Sequence, residues 1–167
     1  MIVVVMGVSG VGKTTVGKHL ADALGARFLE GDDFHPKANI EKMSHGEPLT
    51  DADRKPWLER LASELDASRA KGESVVLTCS ALRRLYRDIL RAGHDDVDFV
   101  FLYADQAVIQ KRIDARKGHF MPPSLLASQF AALERPGSDE RAVHADATRP
   151  PVAIVVAVLE ALRRRKG

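Results

Sequence analysis

Ile2-Val-Val-Val-Met6 runs directly into Gly7-Val8-Ser9-Gly10-Val11-Gly12-Lys13-Thr14-Thr15. A short β-branched run without polar alternation suits a strand buried on both faces, and Gly7 ends it. Residues Gly7 to Thr14 fit G-x-x-x-x-G-K-[ST], between that strand and a helical pattern beginning at Lys13, which is the context that gives the pattern meaning. The glycines let backbone amides curl around phosphate oxygens, and the helix N-terminus adds the positive end of its dipole. Lys13 offers a point charge to the β- and γ-phosphates, and the Thr14 hydroxyl offers a ligand to Mg²⁺. With glycine at about 7% of residues, chance produces the pattern in roughly one chain of this length in two hundred. The segment predicts binding of a nucleoside triphosphate.

Working outward, Val16, Leu20 and Leu24 recur on one helical face and Gly25 supplies a stop. Arg27–Glu30 reads as a second strand entering an acidic turn at Gly31-Asp32-Asp33, and Pro36–Met43 as a short helix. Thr50 is a helix N-cap, with Asp53 standing in for the capping-box Glu; its helix runs to Lys71 and buries Trp57, Leu58, Leu61 and Leu65. Strands at Ser74–Cys79, Val97–Tyr103 and Ala142–Ala147 then alternate with helices at Leu82–Arg91, Gln106–Lys117, Ser124–Glu134 and Val152–Arg165. A proline-bearing break falls at Gly118–Pro123. This alternation predicts an α/β fold with a mostly parallel sheet covered on both faces.

The 167 residues are 45% hydrophobic and 29% charged, which suits one domain over residues 1–167 with a core that needs no covalent staple. The single cysteine, Cys79, excludes a disulfide framework and a four-cysteine zinc site, and reads as a small buried residue. Lys plus Arg total 25 against 23 Asp plus Glu, a net charge of +2 that gives no argument for a nucleic-acid partner. The Arg163-Arg-Arg-Lys166 cluster reads as cations suited to the last turn of a helix. The apolar run Ile2–Met6 is too short for a signal peptide or a membrane span, so a cytoplasmic protein is expected.

What receives the phosphate is read from the acids. A GTPase or ATPase switch normally carries a carboxylate at the end of a neighbouring strand, whereas here that strand ends Thr78-Cys79-Ser80, and no Asn-Lys-x-Asp string occurs. The acids gather instead after the second strand, at Glu30, Asp32 and Asp33, an arrangement that fits small-molecule kinases better. Four polar segments accompany them: Gly31–Pro36 with Asn39–Met43, Leu49–Leu58, Cys79–Asp88, and His119-Phe-Met-Pro122 with Ser128-Gln-Phe130.

Together with the phosphate loop, these segments closely resemble the gluconokinase family of small P-loop carbohydrate kinases, from Val4 to about Glu140. The resemblance implies ATP-dependent, Mg²⁺-assisted phosphorylation of D-gluconate at its 6-hydroxyl, giving 6-phosphogluconate and ADP. It also implies a five-stranded core related to shikimate and nucleoside-monophosphate kinases, an acceptor-binding helical segment at about 33–71, a mobile lid at about 117–135, and a homodimer. The chain departs from the family at Glu30, where Asp-Gly-Asp is usual, and at Arg83-Arg84, where lysine is common.

On that resemblance, Asp32 accepts the acceptor hydroxyl's proton or holds it in line, since orientation counts for more than basicity in a loose transition state. Asp33 is better suited to capping the next helix, and either Glu30 or Asp33 joins the metal's outer shell. His35 and Lys42 hydrogen-bond the sugar acid, with His35 alternatively a helix-entry residue. Arg54 grips the carboxylate bidentately, or pairs with Asp51 or Glu59 in solvent. After the third strand, Arg84 and Arg87 face the substrate, although spacing does not separate Arg83 from Arg84. Arg112 and Arg116, four apart on one helical face, contact ATP, with Arg116 at the transferring phosphoryl; the alternative is a solvated face shared with Lys111 and Lys117. His119 meets gluconate when the lid excludes water, assisted by Gln129. Trp57 reads as core. The rival readings are a kinase for another small acid, such as shikimate, and a nucleotide-binding regulatory protein without turnover.

Overall fold

The structure, a computed structural model, describes residues 1–116 and 123–166. Its strands are β1 (Ile2–Met6), β2 (Arg27–Glu30), β3 (Val75–Thr78), β4 (Val97–Tyr103) and β5 (Ala142–Asp146). Its helices are α1 (Lys13–Leu24), α2 (Lys37–Ser44), α3 (Asp51–Lys71), α4 (Arg84–Arg91), α5 (Gln106–Ala115), α6 (Pro123–Ala132) and α7 (Pro151–Lys166). The sheet order is β2-β3-β1-β4-β5 and every pairing is parallel, so the expectation of a mostly parallel sheet is tightened. A parallel sheet needs crossover helices that cover its faces. Here α1 packs against α7 and α3 against α4, and β1 and β3 are buried along their whole length. Among the described residues no helix is long and apolar enough to cross a membrane.

Register fixes what meets at the carboxyl rim. Glu30 of β2 pairs with Thr78 of β3, which pairs with Val5 of β1, so the chain leaves all three strands side by side. Just beyond, Gly31 lies so close to β3 that a Cβ there would stand 2.0 Å from the Thr78 carbonyl oxygen; no other residue fits. Gly31 N–H donates to Thr78 Oγ1 at 3.2 Å and its carbonyl accepts from Trp57 Nε1 at 2.8 Å. The acidic turn, a single 3₁₀ turn over Gly31–Phe34, is thereby pinned to both β3 and α3.

The capping box forms as read: Asp53 N–H donates to Thr50 Oγ1 at 3.1 Å and Thr50 N–H to Asp53 Oδ2 at 2.9 Å. Two of the helix ends that differ from the periodicity bear on the site. α4 starts at Arg84 rather than Leu82, because Ala81 adopts φ 46° and Arg83 remains extended while Leu82 is drawn into the core. α5 ends at Ala115, and Arg116 is its extended C-cap, so Arg112 and Arg116 do not share a helical face.

One sequence expectation is corrected by packing. Arg87 does not face a substrate: its side chain is 1% exposed and is held by Glu140, itself 2% exposed, through Nε at 2.7 Å and Nη2 at 3.1 Å. Its remaining nitrogen donates to the Ala81 carbonyl at 2.8 Å, while Arg91 and the Gly137 amide also reach Glu140. Burial works against the ionised carboxylate, but these donors outweigh it and hold Glu140 down at about 2. The pair staples α4 to the segment entering β5.

Glu140→Gln leaves the Arg87 guanidinium buried without its counter-charge and is expected to lower stability by about 3–5 kcal/mol, read as a lower urea midpoint at pH 7. In the unaltered protein this carboxylate's contribution is complete above the ordinary value of 4.5 and disappears as pH falls toward 2, a dependence the variant lacks.

Candidate active site

β1 delivers Gly7 to the rim, and the loop that follows turns on positive φ at Gly7, Gly10 and Gly12. At Gly10 the φ of 82° is coupled to a tight approach: a Cβ would lie 2.7 Å from Ile113 of α5. Val8 and Val11 turn their side chains into the core, leaving only backbone to face a ligand. Lys13 is half-buried, and its Nζ donates to the carbonyls of Gly7 at 2.9 Å and Val8 at 3.0 Å. Desolvation pulls its ammonium below the usual lysine range, opposed by the nearby charges of Asp32 and Glu30. Beside it lies a cavity of about 380 Å³ lined by Gly10, Gly12, Thr14, Thr15 and Arg116.

Glu30 closes the far side of this cavity. Its Oε2 accepts from Thr14 Oγ1 at 2.8 Å and its Oε1 from Thr78 Oγ1 at 2.7 Å. The longer side chain at this family departure thus touches the hydroxyl of the phosphate loop directly. Of the two acids left open by the sequence, Glu30 is the one in contact with Thr14.

A larger cavity of about 650 Å³ adjoins the first, and Ser9, Lys13 and Asp32 line both. Asp32 is the exposed acid at this junction, with 77% of its side chain accessible. His35 stacks on Trp57, with ring centroids 3.9 Å apart and planes 19° from parallel. Its Nδ1 is 3.2 Å from Asn39 Nδ2, which donates to it, so the neutral ring carries its proton on Nε2, 3.7 Å from Asp32 Oδ1. Burial keeps His35 below the usual histidine range. Arg54 also lines this cavity and donates to the Leu49 carbonyl and, at 3.1 Å, to the Tyr86 hydroxyl. Tyr86 in turn donates to Asp51, which Arg83 grips through both carboxylate oxygens at 3.2 and 2.9 Å.

The other basic residues separate clearly. Lys42 is turned to Asp53 Oδ2 at 2.7 Å and is absent from the cavity lining; its hydrogen bond, with those of Thr50, holds the Asp53 carboxyl down at about 2. Arg84 is engaged by Asp139 at 3.2 and 2.7 Å, on the outer surface, so of the neighbouring pair it is Arg83 that shares a side cleft with Arg54. Arg112 donates to the Ala147 carbonyl at 2.7 Å, where the chain leaves β5. Gln129 reaches the phosphate loop at Ser9. His119 lies outside the described residues. The acceptor wall also contains Ile40, Met43 and Leu125, which sequence reasoning passed over; the i, i+3 spacing of Ile40 and Met43 was the available signal. Cys79 is buried, which pushes its thiol up to about 12 and makes it inert.

A parallel α/β sheet, a glycine cradle with Lys13 and Thr14, and an acceptor cavity meeting the phosphate cavity at an acid define a P-loop kinase. The same fold occurs in shikimate kinase from Aquifex aeolicus at 17% identity (TM-score 0.62, covering 99% of this chain and 98% of that one). A sequence-family model described as an AAA domain matches residues 2–136. The thermoresistant gluconokinase of Escherichia coli K12 is 44% identical over 166 residues, covering 99% of this chain and 95% of that protein. The crystal structure of a gluconokinase from Sinorhizobium meliloti 1021 superposes with a TM-score of 0.90 at 49% identity, covering 98% of this chain and 91% of that one. The chain belongs to the gluconokinase family.

Lys13→Ala removes the loop's cation without disturbing the core, and is expected to lower ATP turnover by about 10²–10³-fold with the circular dichroism spectrum unchanged. Retained turnover would remove Lys13 from the phosphate site.

Proposed function

We propose that this protein is an ATP-dependent kinase that transfers the γ-phosphoryl group to the 6-hydroxyl of D-gluconate. The observation that carries the reading is the sharing of Ser9, Lys13 and Asp32 by the nucleotide and acceptor cavities, a common wall across which a phosphoryl group can pass. The acceptor cavity suits a polyhydroxylated anion, with Arg54 for the carboxylate and a polar wall including His35 and Ser128. Family membership supports gluconate as that anion.

The residues then have these tasks. The loop amides and Lys13 hold the β- and γ-phosphates, and Arg112 of α5 and Arg116 just beyond its end bear on ATP, Arg116 at the phosphate cavity. Asp32 holds the 6-hydroxyl in line with the γ-phosphorus and takes its proton as the new O–P bond forms. The bond from phosphorus to the bridging oxygen breaks in the same event, and ADP departs. Thr14 and Glu30 offer hard oxygen donors of the kind Mg²⁺ accepts, Thr14 directly and Glu30 in the outer shell. Held there, the cation would supply positive charge to offset that of the phosphate groups. Residues 1–167 act as one kinase domain, with an acceptor segment at about 33–71 and a lid at about 117–135 that carries His119 toward gluconate. We further infer a cytoplasmic homodimer that binds neither nucleic acid nor membrane; the family resemblance supports the dimer.

The reading is tested by Mg-ATP-dependent ADP release with gluconate, shikimate, a nucleoside monophosphate or no acceptor. Turnover with gluconate alone, with 6-phosphogluconate as product, is expected. Turnover with another member of the panel would overturn the substrate, and ATP binding without acceptor-dependent turnover would overturn the kinase. Asp32→Asn is expected to lower kcat by about 10²-fold or more with little change in the KM for ATP; an unchanged kcat would exclude Asp32 from the chemistry.

A further inference from the structure

Gln129, on α6 at the wall of the acceptor cavity, spends both ends of its side-chain amide on one residue of the phosphate loop. Its Oε1 accepts from the backbone N–H of Ser9 at 2.8 Å, and its Nε2 donates to Ser9 Oγ at 3.0 Å. Ser9 belongs to the loop whose amides cradle phosphate, and it lines both cavities. A backbone N–H has a single proton. Whatever phosphate oxygen approaches Ser9 must therefore compete with Gln129 for it.

We propose that Gln129 is a positioning residue that couples occupancy of the phosphate loop to binding of the acceptor. The terminal phosphate of ATP displaces Gln129 Oε1 from the Ser9 amide, because a hydrogen bond to an ionised oxygen is stronger than one to a neutral amide. The released amide then offers its donor and its acceptor to hydroxyl groups of the acceptor, the same pairing it makes with Ser9 Oγ. The exchange needs only a rotation of the Gln129 side chain, since other contacts also hold α6 in the conformation seen here. Leu126 is fully buried, and just past the helix Glu134 N–H donates to the Leu82 carbonyl at 2.7 Å. The Glu134 carboxylate caps the start of α4 by accepting from Arg84 N–H at 2.9 Å. This inference rests on the acceptor reading above and adds the side chain through which the two cavities communicate.

The test is calorimetric titration of Mg-AMPPNP into the unaltered protein, Gln129→Ala and Gln129→Glu, followed by gluconate with and without the nucleotide. Gln129→Ala removes the competitor, so Mg-AMPPNP is expected to bind about three- to tenfold more tightly. Gln129→Glu keeps the Ser9 amide occupied and sets a carboxylate against the phosphate, so binding is expected to weaken. Gluconate affinity should rise on nucleotide binding in the unaltered protein and become independent of nucleotide in both variants. A contact that merely braces α6 would shift nucleotide affinity in the same direction in both variants, or in neither, and either result overturns the proposal. The nucleotide titrations need no acceptor, so their opposite signs decide the competition for Ser9 separately from whether gluconate is the acceptor.

Discussion

Lys13 carries its charge into a loop that partly strips it of water and holds it with the carbonyls of Gly7 and Val8. An ammonium in that setting is tolerable only if negative charge lies near it, and the surrounding rim is arranged accordingly. Asp32 and Glu30 supply the field from the end of β2 without forming a direct ion pair, which leaves the lysine available to a phosphate. Their placement depends on the sheet register, which sets Glu30 beside Thr78 and Val5. It depends equally on Gly31, the one residue small enough to pass the Thr78 carbonyl. The buried strand, the glycine at its neighbour's end and the acids therefore form one construction, with the lysine at its centre.

Around that centre the arginines divide between architecture and chemistry. Arg87 is committed to Glu140, Arg84 to Asp139 and Arg83 to Asp51, whereas Arg54 and Arg116 remain at the cavities. The buried Arg87–Glu140 pair fixes the path by which the chain returns from α6 to β5, and so holds the helix that carries Gln129 against the phosphate loop. His35, stacked on Trp57 and kept neutral by burial, offers a hydrogen-bonding edge rather than a charge beside Asp32. An acceptor bearing one carboxylate and several hydroxyls is matched by Arg54 and the neutral partners around it, with Lys13 at the phosphate side.

Much of the fold was legible because its signals are local. The apolar run at Ile2–Met6, the glycine pattern after it, the Thr50–Asp53 cap and the strand–helix alternation each depend on neighbours in sequence. The phosphate loop was legible for the same reason. Arg84 and Arg87 were not, because their partners lie more than fifty residues away, and spacing within α4 carries no information about Asp139 or Glu140. Lys42 meets Asp53, whose role as a cap was readable but whose second partner was not. Arg116 left the face of Arg112 because α5 stops one residue before it. The Ser9–Gln129 contact joins residues 120 apart and has no local trace at all.

On the proposed reading, one phosphoryl group crosses between the two cavities at Ser9, Lys13 and Asp32. A crystal structure with Mg-AMPPNP and D-gluconate bound together tests it most directly. Gluconate is expected in the larger cavity with its carboxylate toward Arg54 and its 6-hydroxyl oxygen beside Asp32, about 3–3.5 Å from the terminal phosphorus. Gluconate bound elsewhere, or with its carboxylate rather than its 6-hydroxyl at the junction, would contradict it.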